Sequence, residues 1–327
     1  MYEILGIGNA VTDILVEVDN NFISKHDLSP GTMKLVNEDF IKSLSEGLKV
    51  NNVMAGGSVA NTLSTISSLG GKCAFIGSRK NDKYGKLFTD SMSSKDIKLI
   101  NKENVEGKAS SVCLVLITPD GERTMCTYLG ASNELKNKDI QEDILKNTKL
   151  VYLEGYLFDL QEAKDIFYYI VNNASHFGYK VALSLSDSFC VDRHREDFLK
   201  LINKNISILF SNTDEIESLY ECERKKAMNK AAKTTEIVIA TMGKNGSSLY
   251  KGSEYIEIDS YEAIAKDTTG AGDNYAAGFL HSFIQGNTLK EAMLAGSFCA
   301  AEIVKIIGAR QNADLKDLLN KQKLLKQ

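Results

Sequence analysis

Residues 263–284 read AIAKDTTGAGDNYAAGFLHSFI, a glycine-rich turn that leads through Asp273 into an apolar pattern. The apolar side chains that follow recur with the period of a helix, at Ala276, Ala277, Phe279, Leu280 and Phe283. A helix start leaves backbone N–H groups unpaired, and the helix dipole adds partial positive charge beside them. The stretch therefore predicts either an ordinary helix start with closely packed glycines or an anion site suited to a phosphate.

Asp273 lies just inside this turn. A carboxylate there would repel a phosphate, so it is not expected to bind the anion. We expect it instead to act as a base on the group that attacks the phosphate. The alternative is an acid that is favoured only by the helix dipole, and this stretch alone does not separate the two.

Composition limits the class of protein. The chain has 327 residues, 43% of them hydrophobic, which is enough for a substantial buried core. A net charge of −4 argues against a nucleic-acid partner. The first residues carry acids within their apolar run, and no run of about 18 apolar residues exists, so neither a signal peptide nor a membrane helix is predicted. Six scattered cysteines without a C-x-x-C pair indicate a reducing, cytoplasmic location.

Several chemistries have no motif in this sequence. The four histidines lack metal-ligand spacing, and neither a phosphate-binding P-loop nor a G-x-S-x-G nucleophile motif is present. Gly6-Ile7-Gly8 follows a strand, as in a dinucleotide fingerprint, but Val11 stands where the third glycine belongs and no helix follows. The fingerprint is therefore a weak interpretation of this stretch.

From residue 149 onward, near-continuous apolar runs alternate with helical patterns. Val181–Leu185 and Ile206–Phe210 are typical of parallel strands covered on both faces, and Thr213–Tyr220 is typical of a helix between strands. The pattern predicts an α/β fold, with a doubly wound, mainly parallel sheet flanked by helices.

A second, smaller sheet is predicted outside this body. Ser110–Thr118 and Glu122–Leu129 flank Pro119-Asp120-Gly121 and read as a β-hairpin. Together with extended segments at 13–18 and 32–36, the hairpin would form a four-stranded lid. We therefore expect a single domain over residues 1–327, with a β lid built from about 13–36 and 110–129. Arg123 lies just after the hairpin turn, where a solvated charge is the commoner alternative.

Polar residues near the N-terminus stand in apolar surroundings where a ligand could contact them. Asn9 and Asp13 follow the first strand, and ligands of open α/β sheets bind at such strand ends. Gly56-Gly57-Ser58 opens a helix that carries Asn61 on an otherwise apolar face. The two glycines would let a ligand approach the backbone, although Ser58 could instead be a helix N-cap.

Two further polar clusters end predicted strands. The first contains Asn212 and Glu215, and the second contains Thr241, Gly243 and Gly246. Both belong at the edge of the sheet where ligands bind. Glu215 could act near a magnesium ion, or could simply be an acid stabilised by a helix N-terminus.

Taken together, these motifs resemble the ribokinase/PfkB carbohydrate kinase family. Asp267-Thr-Thr-Gly-Ala-Gly-Asp273 resembles its main signature and Gly56-Gly57-Ser58-x-x-Asn61 its N-terminal one. Asn212-x-x-Glu215 and Thr241-x-Gly243-x-x-Gly246 follow in family order. Gly8-Asn9 with Asp13, and the stretch at 185–195 (LSDSFCVDRHR), are closest to the bacterial adenosine kinase-like branch.

The resemblance implies a role for each matching position. Asp273 would be the catalytic base, and the backbone amides of Gly270, Ala271 and Gly272 would stabilise the transferring phosphoryl group. The residues expected to bind the acceptor are Asn9, Asp13, Gly57, Ser58 and Asn61. The residues expected to bind the nucleotide are Asn212, Thr241, Gly243, Gly246 and Arg123.

The resemblance also implies ATP as co-substrate and Mg²⁺, with Glu215 acting on the metal through water. A monovalent cation such as K⁺ is implied near the carbonyls of Asp267 and Thr269. The expected partners are ATP and a nucleoside or sugar, with no nucleic acid and no membrane. The protein would be a monomer or a homodimer joined through the lid.

The acceptor is the least determined part of this interpretation. A nucleoside base needs an apolar, partly aromatic slot, for which Tyr128, Tyr156, Leu157 and Phe158 are candidates, although all four could belong to the core. We favour a nucleoside, adenosine first, with a sugar kinase as the alternative. A non-catalytic binding protein on the same fold is a third hypothesis, which an intact Asp273 disfavours.

Overall fold

The computed structural model describes residues 1–204, 206–311, 314–322 and 324. The strands of this part of the chain are β1 (Tyr2–Ile7), β2 (Val11–Glu17), β3 (Met33–Leu35), β4 (Asn52–Ala55), β5 (Cys73–Ile76), β6 (Lys98–Leu99), β7 (Ser111–Ile117), β8 (Arg123–Tyr128), β9 (Thr148–Glu154), β10 (Lys180–Ser184), β11 (Ile208–Asn212), β12 (Ile237–Thr241), β13 (Ser247–Lys251) and β14 (Glu254–Ile258). The helices are α1 (Asn20–Lys25), α2 (Glu38–Ser45), α3 (Ser58–Ser68), α4 (Lys83–Ser93), α5 (Glu142–Lys146), α6 (Gln161–Phe177), α7 (Ser188–Ile202), α8 (Thr213–Tyr220), α9 (Arg224–Ala231), α10 (Ala271–Ile284), α11 (Leu289–Ile303) and α12 (Leu315–Lys321).

The larger sheet has nine strands in the order β14-β13-β12-β11-β10-β9-β1-β5-β6. All neighbouring strands from β12 to β6 pair in parallel, and only β13 and β14 join antiparallel at one edge. The predicted doubly wound, mainly parallel sheet is confirmed.

Both faces of the larger sheet are buried, which explains the near-continuous apolar strands. In β9, Val151 and Leu153 pack into a core cluster with α6 and α7, whereas Leu150 and Tyr152 pack into another with α3 and α10. Successive side chains of a strand point to opposite faces, so a strand covered on both sides must be apolar at every position.

The smaller sheet has five strands, in the order β3-β8-β7-β2-β4. The predicted hairpin is present as the antiparallel pair β7 and β8, closed by a bond from Gly121 N–H to the Thr118 carbonyl (2.8 Å). The prediction of four strands was wrong, because β4 pairs antiparallel with β2. Its sequence, NVMA, is too short to show alternation, and it precedes the glycines that attracted the turn interpretation.

Helix ends account for the other differences. The sequence pattern predicts a helix near residues 195–202, but α7 begins at Ser188, because Asp187 caps it by accepting a bond from Cys190 N–H (2.6 Å). The pattern further along the chain predicts helices at residues 289–306 and 315–325. Helix α11 ends at Ile303, and Leu325 lies outside the described residues. Within them, no helix combines the length and apolar character needed to cross a membrane.

Candidate active site between the two sheets

A cavity of about 1160 Å³ lies between the carboxyl edge of the larger sheet and the inner face of the smaller one. Single-ligand sites are usually about 300–1,000 Å³, so this space can hold two substrates side by side. The following predicted site residues line it: Asn9, Asp13, Gly57, Ser58, Arg123, Asn212, Glu215, Thr241, Gly243, Asp267, Thr269, Gly270, Ala271, Gly272 and Asp273. The structure therefore brings together residues that are more than 250 positions apart in sequence.

The turn before α10 is held in a conformation that requires glycine. Gly270 has φ +76°, and a Cβ there would lie 2.6 Å from the Cβ of Ala309. The amide of Ala271, one of the three predicted anion donors, already donates to the Thr268 carbonyl at 3.2 Å. Gly272 lines the cavity, and apart from the nearby backbone of the helix no atom lies within 4 Å of where its Cβ would be. The turn thus leaves space beside Gly272, while the Ala271 amide is engaged inside it.

Asp273 lies in the first turn of α10 with both carboxylate oxygens bonded. Oδ1 accepts from Ser58 Oγ at 2.6 Å, and Oδ2 accepts from Asn61 Nδ2 at 3.0 Å. Burial raises the pKa of Asp273 above its ordinary value, while these two donors and the nearby charge of Arg310 pull it down. Hydrogen bonds to the charged form hold the carboxylate available as a proton acceptor.

Ser58 and Asn61 thus contact the candidate base in this structure, although the sequence predicted that they bind the acceptor substrate. The alternative of Ser58 as an N-cap was wrong, because Gly57 is the N-cap of α3 and makes no side-chain capping bond. Gly57 has φ +89°, and a Cβ there would lie 2.4 Å from the Asn9 carbonyl oxygen. This glycine lets α3 start directly against the end of β1.

Asn9 is held by Glu154, an acid that the sequence interpretation missed. Glu154 Oε1 accepts from the backbone N–H of Asn9 (2.8 Å) and from its Nδ2 (2.7 Å), and Oε2 accepts from Val59 N–H (3.0 Å). Burial raises the pKa of Glu154 to about 7. Its place at the end of an apolar strand, the same signal that singled out Asn9, would have revealed it.

The Oδ1 atom of Asn9 is buried and has no hydrogen-bond partner among the described residues. A buried amide oxygen without a partner is costly, which makes it a natural acceptor for a hydroxyl donor of a ligand. Asn9 therefore fits its predicted place beside the acceptor substrate.

Asp13 enters the cavity from β2 of the smaller sheet. Burial raises its pKa to about 7, although Arg310 and Arg123 act in the opposite direction. A Cβ on Gly56 would lie 2.3 Å from Asp13 Oδ2, so this glycine makes room for the carboxylate.

Asn212 and Glu215 satisfy each other at the start of α8. The Asn212 side chain accepts from Glu215 N–H (2.8 Å), and Glu215 accepts from the backbone N–H (3.0 Å) and Nδ2 (2.7 Å) of Asn212. This reciprocal arrangement is a capping box, in line with the structural alternative for Glu215. Burial raises the pKa of Glu215 to about 8.

The side chains of this site could bind Mg²⁺ only together with the phosphates of a bound nucleotide. Among the described residues, no group of three or more His, Cys, Asp or Glu side chains could hold a metal by itself. Mg²⁺ keeps several waters and commonly takes one or two carboxylates plus substrate phosphates. Glu215 lines the cavity, but both of its carboxylate oxygens already accept from Asn212, so its predicted role on the metal through water stays a prediction.

Gly246 was predicted to bind the nucleotide, but it does not line the cavity. It has φ +89°, its carbonyl accepts from Met242 N–H (2.8 Å), and a Cβ there would collide with the Ile258 carbonyl at 1.9 Å. Thr241 and Gly243 face the cavity, whereas Gly246 shapes the turn that presents them.

Arg123 crosses from β8 to the turn before α10. Its guanidinium pairs with the Asp267 carboxylate and donates to Thr269 Oγ1 (2.8 Å). Asp267 also accepts from Gly308 N–H (2.6 Å) and Thr269 N–H (2.9 Å). Both oxygens of the Asp267 carboxylate are therefore engaged. The predicted monovalent cation involves the main-chain carbonyls of Asp267 and Thr269 and stays a prediction.

Arg310 is the second residue that the sequence interpretation missed. It follows α11 and donates to Asn61 Oδ1 (3.0 Å), Ser91 Oγ (2.8 Å) and the Gly56 carbonyl (3.0 Å). No motif flagged it, because it lies in an irregular segment whose place in the site depends on how the chain returns over α10.

The aromatic candidates divide between the cavity and the core. Tyr156 lines the cavity. Leu157 and Phe158 are fully buried in the core, and Tyr128 packs beside α2, where its hydroxyl donates to Glu38 (3.2 Å). The apolar wall of the cavity comes mainly from the smaller sheet, through Val11, Met33, Leu35, Cys113 and Met125.

Comparison with known proteins adds independent findings. Residues 37–316 match the model of the pfkB family carbohydrate kinases. The chain is 26% identical over 260 residues to guanosine-inosine kinase of Escherichia coli (strain K12), a match over 74% of this chain that spans only 58% of that protein.

Two solved structures superpose over nearly the whole chain. A "probable sugar kinase" from Rhizobium etli CFN 42 has a TM-score of 0.94 and 32% identity and covers 99% of both chains. Adenosine kinase from Sinorhizobium meliloti has a TM-score of 0.93 and 33% identity, covering 98% of this chain and 99% of that one.

Proposed function

Because the chain belongs to the pfkB family of carbohydrate kinases, we propose that it is an ATP-dependent kinase. We propose further that it phosphorylates a hydroxyl group of a nucleoside, with adenosine as the favoured acceptor. One observation supports the choice of acceptor: polar and apolar side chains line different parts of the same cavity. We call the part formed by Asn9, Asp13 and Asp273 the polar floor, and the part formed by apolar side chains of the smaller sheet the apolar wall. In this proposal the ribose would lie against the polar floor and the nucleobase against the apolar wall.

The polar floor supplies the groups that a ribose needs. Asp13 and the unpartnered Oδ1 of Asn9 are acceptors for sugar hydroxyls, and Asp273 lies beside them as the base. A free sugar would use the same floor, and the likeness to the Rhizobium etli "probable sugar kinase" keeps this alternative in the test.

The apolar wall favours a nucleobase over a free sugar. Met33 on β3 and Met125 on β8 are register partners, and Val11 and Cys113 continue the same surface. Methionine side chains adapt to flat ligands and contact aromatic rings favourably. A hexose or pentose offers no apolar face of that size.

The proposed reaction needs little covalent chemistry from the protein. Asp273 takes the proton of the acceptor hydroxyl, the hydroxyl oxygen bonds to the γ-phosphorus of ATP, and the bond from that phosphorus to the β-phosphate oxygen breaks to release ADP. A pKa raised by burial makes Asp273 a better proton acceptor near neutral pH. Backbone amides at Gly270 and Gly272 would face the charge that builds on the phosphoryl group.

The other residues would position the nucleotide. Thr241 and Gly243 would line the ATP site, and Asn212 and Glu215 would lie near its phosphates. Mg²⁺, when bound with ATP, would neutralise phosphate charge. Arg123 would have to leave Asp267 to reach the phosphates, so we propose that nucleotide phosphates compete with Asp267 for this arginine.

The deciding experiment measures ADP release with adenosine, guanosine, inosine, cytidine, ribose, fructose and 2-keto-3-deoxygluconate as acceptors. We expect the highest kcat/KM with a purine nucleoside. A preference for a free sugar would select the alternative acceptor. No ADP above the ATP-only blank with any acceptor would count against phosphoryl transfer to these classes of acceptor.

A further inference from the structure

The segment that follows α11 forms a strap against the glycine turn of the candidate active site. We define the C-terminal strap as residues 307–310. Gly308 N–H donates to Asp267 (2.6 Å), and the Ala309 carbonyl accepts from Asn274 Nδ2 (3.1 Å). The Cβ of Ala309 lies where a side chain on Gly270 would be. The strap is therefore bonded to both sides of the glycine turn before it reaches Arg310.

Arg310 then joins three separate elements through one guanidinium. Nε donates to Asn61 on α3, Nη1 to Ser91 on α4, and Nη2 to the carbonyl of Gly56, which follows β4. Burial lowers the pKa of Arg310 to about 10, so the group is still charged at neutral pH. A planar guanidinium with fixed donors can hold three acceptors in one geometry, which a lysine cannot.

The hydrogen bond from Arg310 to Asn61 determines which end of the Asn61 amide faces Asp273. Because Asn61 Oδ1 accepts from Arg310, the other end of the amide, Nδ2, must face Asp273, to which it donates at 3.0 Å. Without Arg310 the amide could turn its oxygen toward the carboxylate, which would replace an attraction by a repulsion.

We propose that Arg310 is a positioning residue for the catalytic base: it fixes the amide of Asn61 and holds the Asp273 carboxylate ionised and oriented. The proposal deepens the phosphoryl-transfer function and rests on it for its kinetic consequence. The orientation of Asn61 and the charge effect on Asp273 are properties of the protein itself and do not depend on turnover.

Other charged groups face the same carboxylate. Three acids lie close enough to interact with it, Asp13 on β2, Glu154 on β9 and Glu215 on α8. Tyr152 and Tyr156 also sense its charge, and both hydroxyls stay protonated because burial raises their pKa values. Arg310 is the cation whose charge lowers the pKa of Asp273. Its loss would leave Asp273 and Asp13 without that opposing charge.

The test follows the carboxyl ¹³C signals of aspartate-labelled protein over a pH titration, with the Asp273 signal assigned through Asp273→Asn. In Arg310→Met we expect the titration midpoint of Asp273 to rise by about one pH unit, the low end of the effect of an adjacent opposite charge. Arg310→Lys keeps the positive charge but loses the planar guanidinium with its three fixed donors. The titration midpoint of Asp273 in this variant should therefore stay closer to wild type. If Arg310→Met does not fold, Arg310→Gln, which also removes the charge, replaces it with the same expected shift.

Arg79 offers a matched control. It is a buried arginine that bonds to Thr89 Oγ1 (2.8 Å) and the Asn101 carbonyl (3.2 Å), away from the cavity. Arg79→Met should destabilise the protein without moving the Asp273 midpoint. An unchanged Asp273 midpoint in a folded Arg310 variant that has lost the positive charge would overturn the proposal, and so would an equal shift in Arg79→Met.

Kinetics give a second readout. Arg310→Met should lower kcat about 100-fold, the usual cost of a misplaced reacting group, and move the acid limb of the kcat–pH profile to higher pH, with KM for ATP little changed. If wild type releases no ADP with any acceptor while the Asp273 midpoint shifts as expected, the function is wrong and the positioning of Asp273 stands. If wild type is active but kcat and its pH profile are unchanged in Arg310→Met, the positioning role fails.

Discussion

The two sheets of this molecule differ in how they bury their surfaces. The larger sheet is covered by helices on both faces, and its polar site residues lie at strand ends and helix starts along its carboxyl edge. The smaller sheet packs one face against α1 and α2, and its other face, with Val11, Cys113 and Met125, lines the cavity. The larger sheet thus presents the candidate reaction chemistry at turns and helix starts that carry recognisable motifs. The smaller one presents a wall of ordinary apolar residues that no motif marks.

This contrast suggests that the two regions divide the work. Changes at the edge of the larger sheet should alter the rate of phosphoryl transfer or the stability of the fold. Changes on the inner face of the smaller sheet should alter which acceptor is used. Four substitutions test this division.

Asp273→Asn should have the largest effect. We expect kcat to fall about 10²–10⁴-fold, the size of a general-base contribution, because the amide cannot accept the proton of the hydroxyl. ATP binding, measured by calorimetric titration, should survive. Turnover equal to wild type would refute the role of Asp273.

Gly57→Ala should strongly destabilise the fold, by about 2–4 kcal/mol. An L residue at positive φ costs about 1–2 kcal/mol, and here the new Cβ would also press on the Asn9 carbonyl oxygen. Denaturant unfolding measures the change. Gly121→Ala on the smaller sheet is the control: its φ is +85° but no atom lies within 4 Å of its Cβ position, so only the backbone strain applies. Equal losses of unfolding free energy in the two variants would show that the contact with the Asn9 carbonyl oxygen does not contribute to the effect of Gly57→Ala.

Glu154→Gln should change how stability depends on pH. Burial raises the pKa of Glu154 from 4.5 to about 7, so between these values the folded state binds a proton that the unfolded state does not. Stability from this group is therefore present at low pH and is lost as pH rises toward 7. Relative to wild type, the variant should gain about 2 kcal/mol between pH 5 and pH 8.

Unfolding free energies across this pH range check the prediction for Glu154. Asp13 and Glu215 titrate in both proteins, so the difference between variant and wild type isolates Glu154. Asp13→Asn, on the smaller sheet, should show a similar trend, since burial raises that pKa to about 7 as well. A constant difference between pH 5 and pH 8 would contradict the raised pKa of Glu154.

Met125→Ala should have the smallest effect, about 5–10-fold in KM for the nucleoside, because it removes one apolar contact worth roughly 1 kcal/mol. KM for ATP and kcat should stay close to wild type. The paired Met33→Ala, from the neighbouring strand, should behave alike. A fall in kcat without a change in acceptor KM would show that the wall is part of the reaction chemistry, which contradicts the division.

The candidate site was predictable where residue type and local spacing carry the information. The turn at Gly270 and Gly272, with Asp273 after it, could be read because a helix start has the same geometry in any protein. Asn9 could be identified because a polar side chain at the end of a buried strand is unusual. Glu154 carries the same signal and was overlooked, whereas β4 was missed because four residues are too few to show a period.

Contacts between distant parts of the chain were beyond local patterns. Ser58 and Asn61 were expected on the acceptor but donate to Asp273, and Arg310 reaches Asn61 from 249 positions away. Arg123 likewise bonds to Asp267 and Thr269 at a separation of over 140 positions. Such pairs depend on how the strap and the smaller sheet fold over the larger one.

By itself, the sequence determined the fold class, the glycine turns and the residue types gathered at the strand ends, because these follow from periodicity and from short-range backbone geometry. Only the tertiary structure decided which side chains bond to which. The ionisation of Asp273 depends on burial and on donors from α3 and the C-terminal strap, and those neighbours exist only once the chain has closed around the cavity.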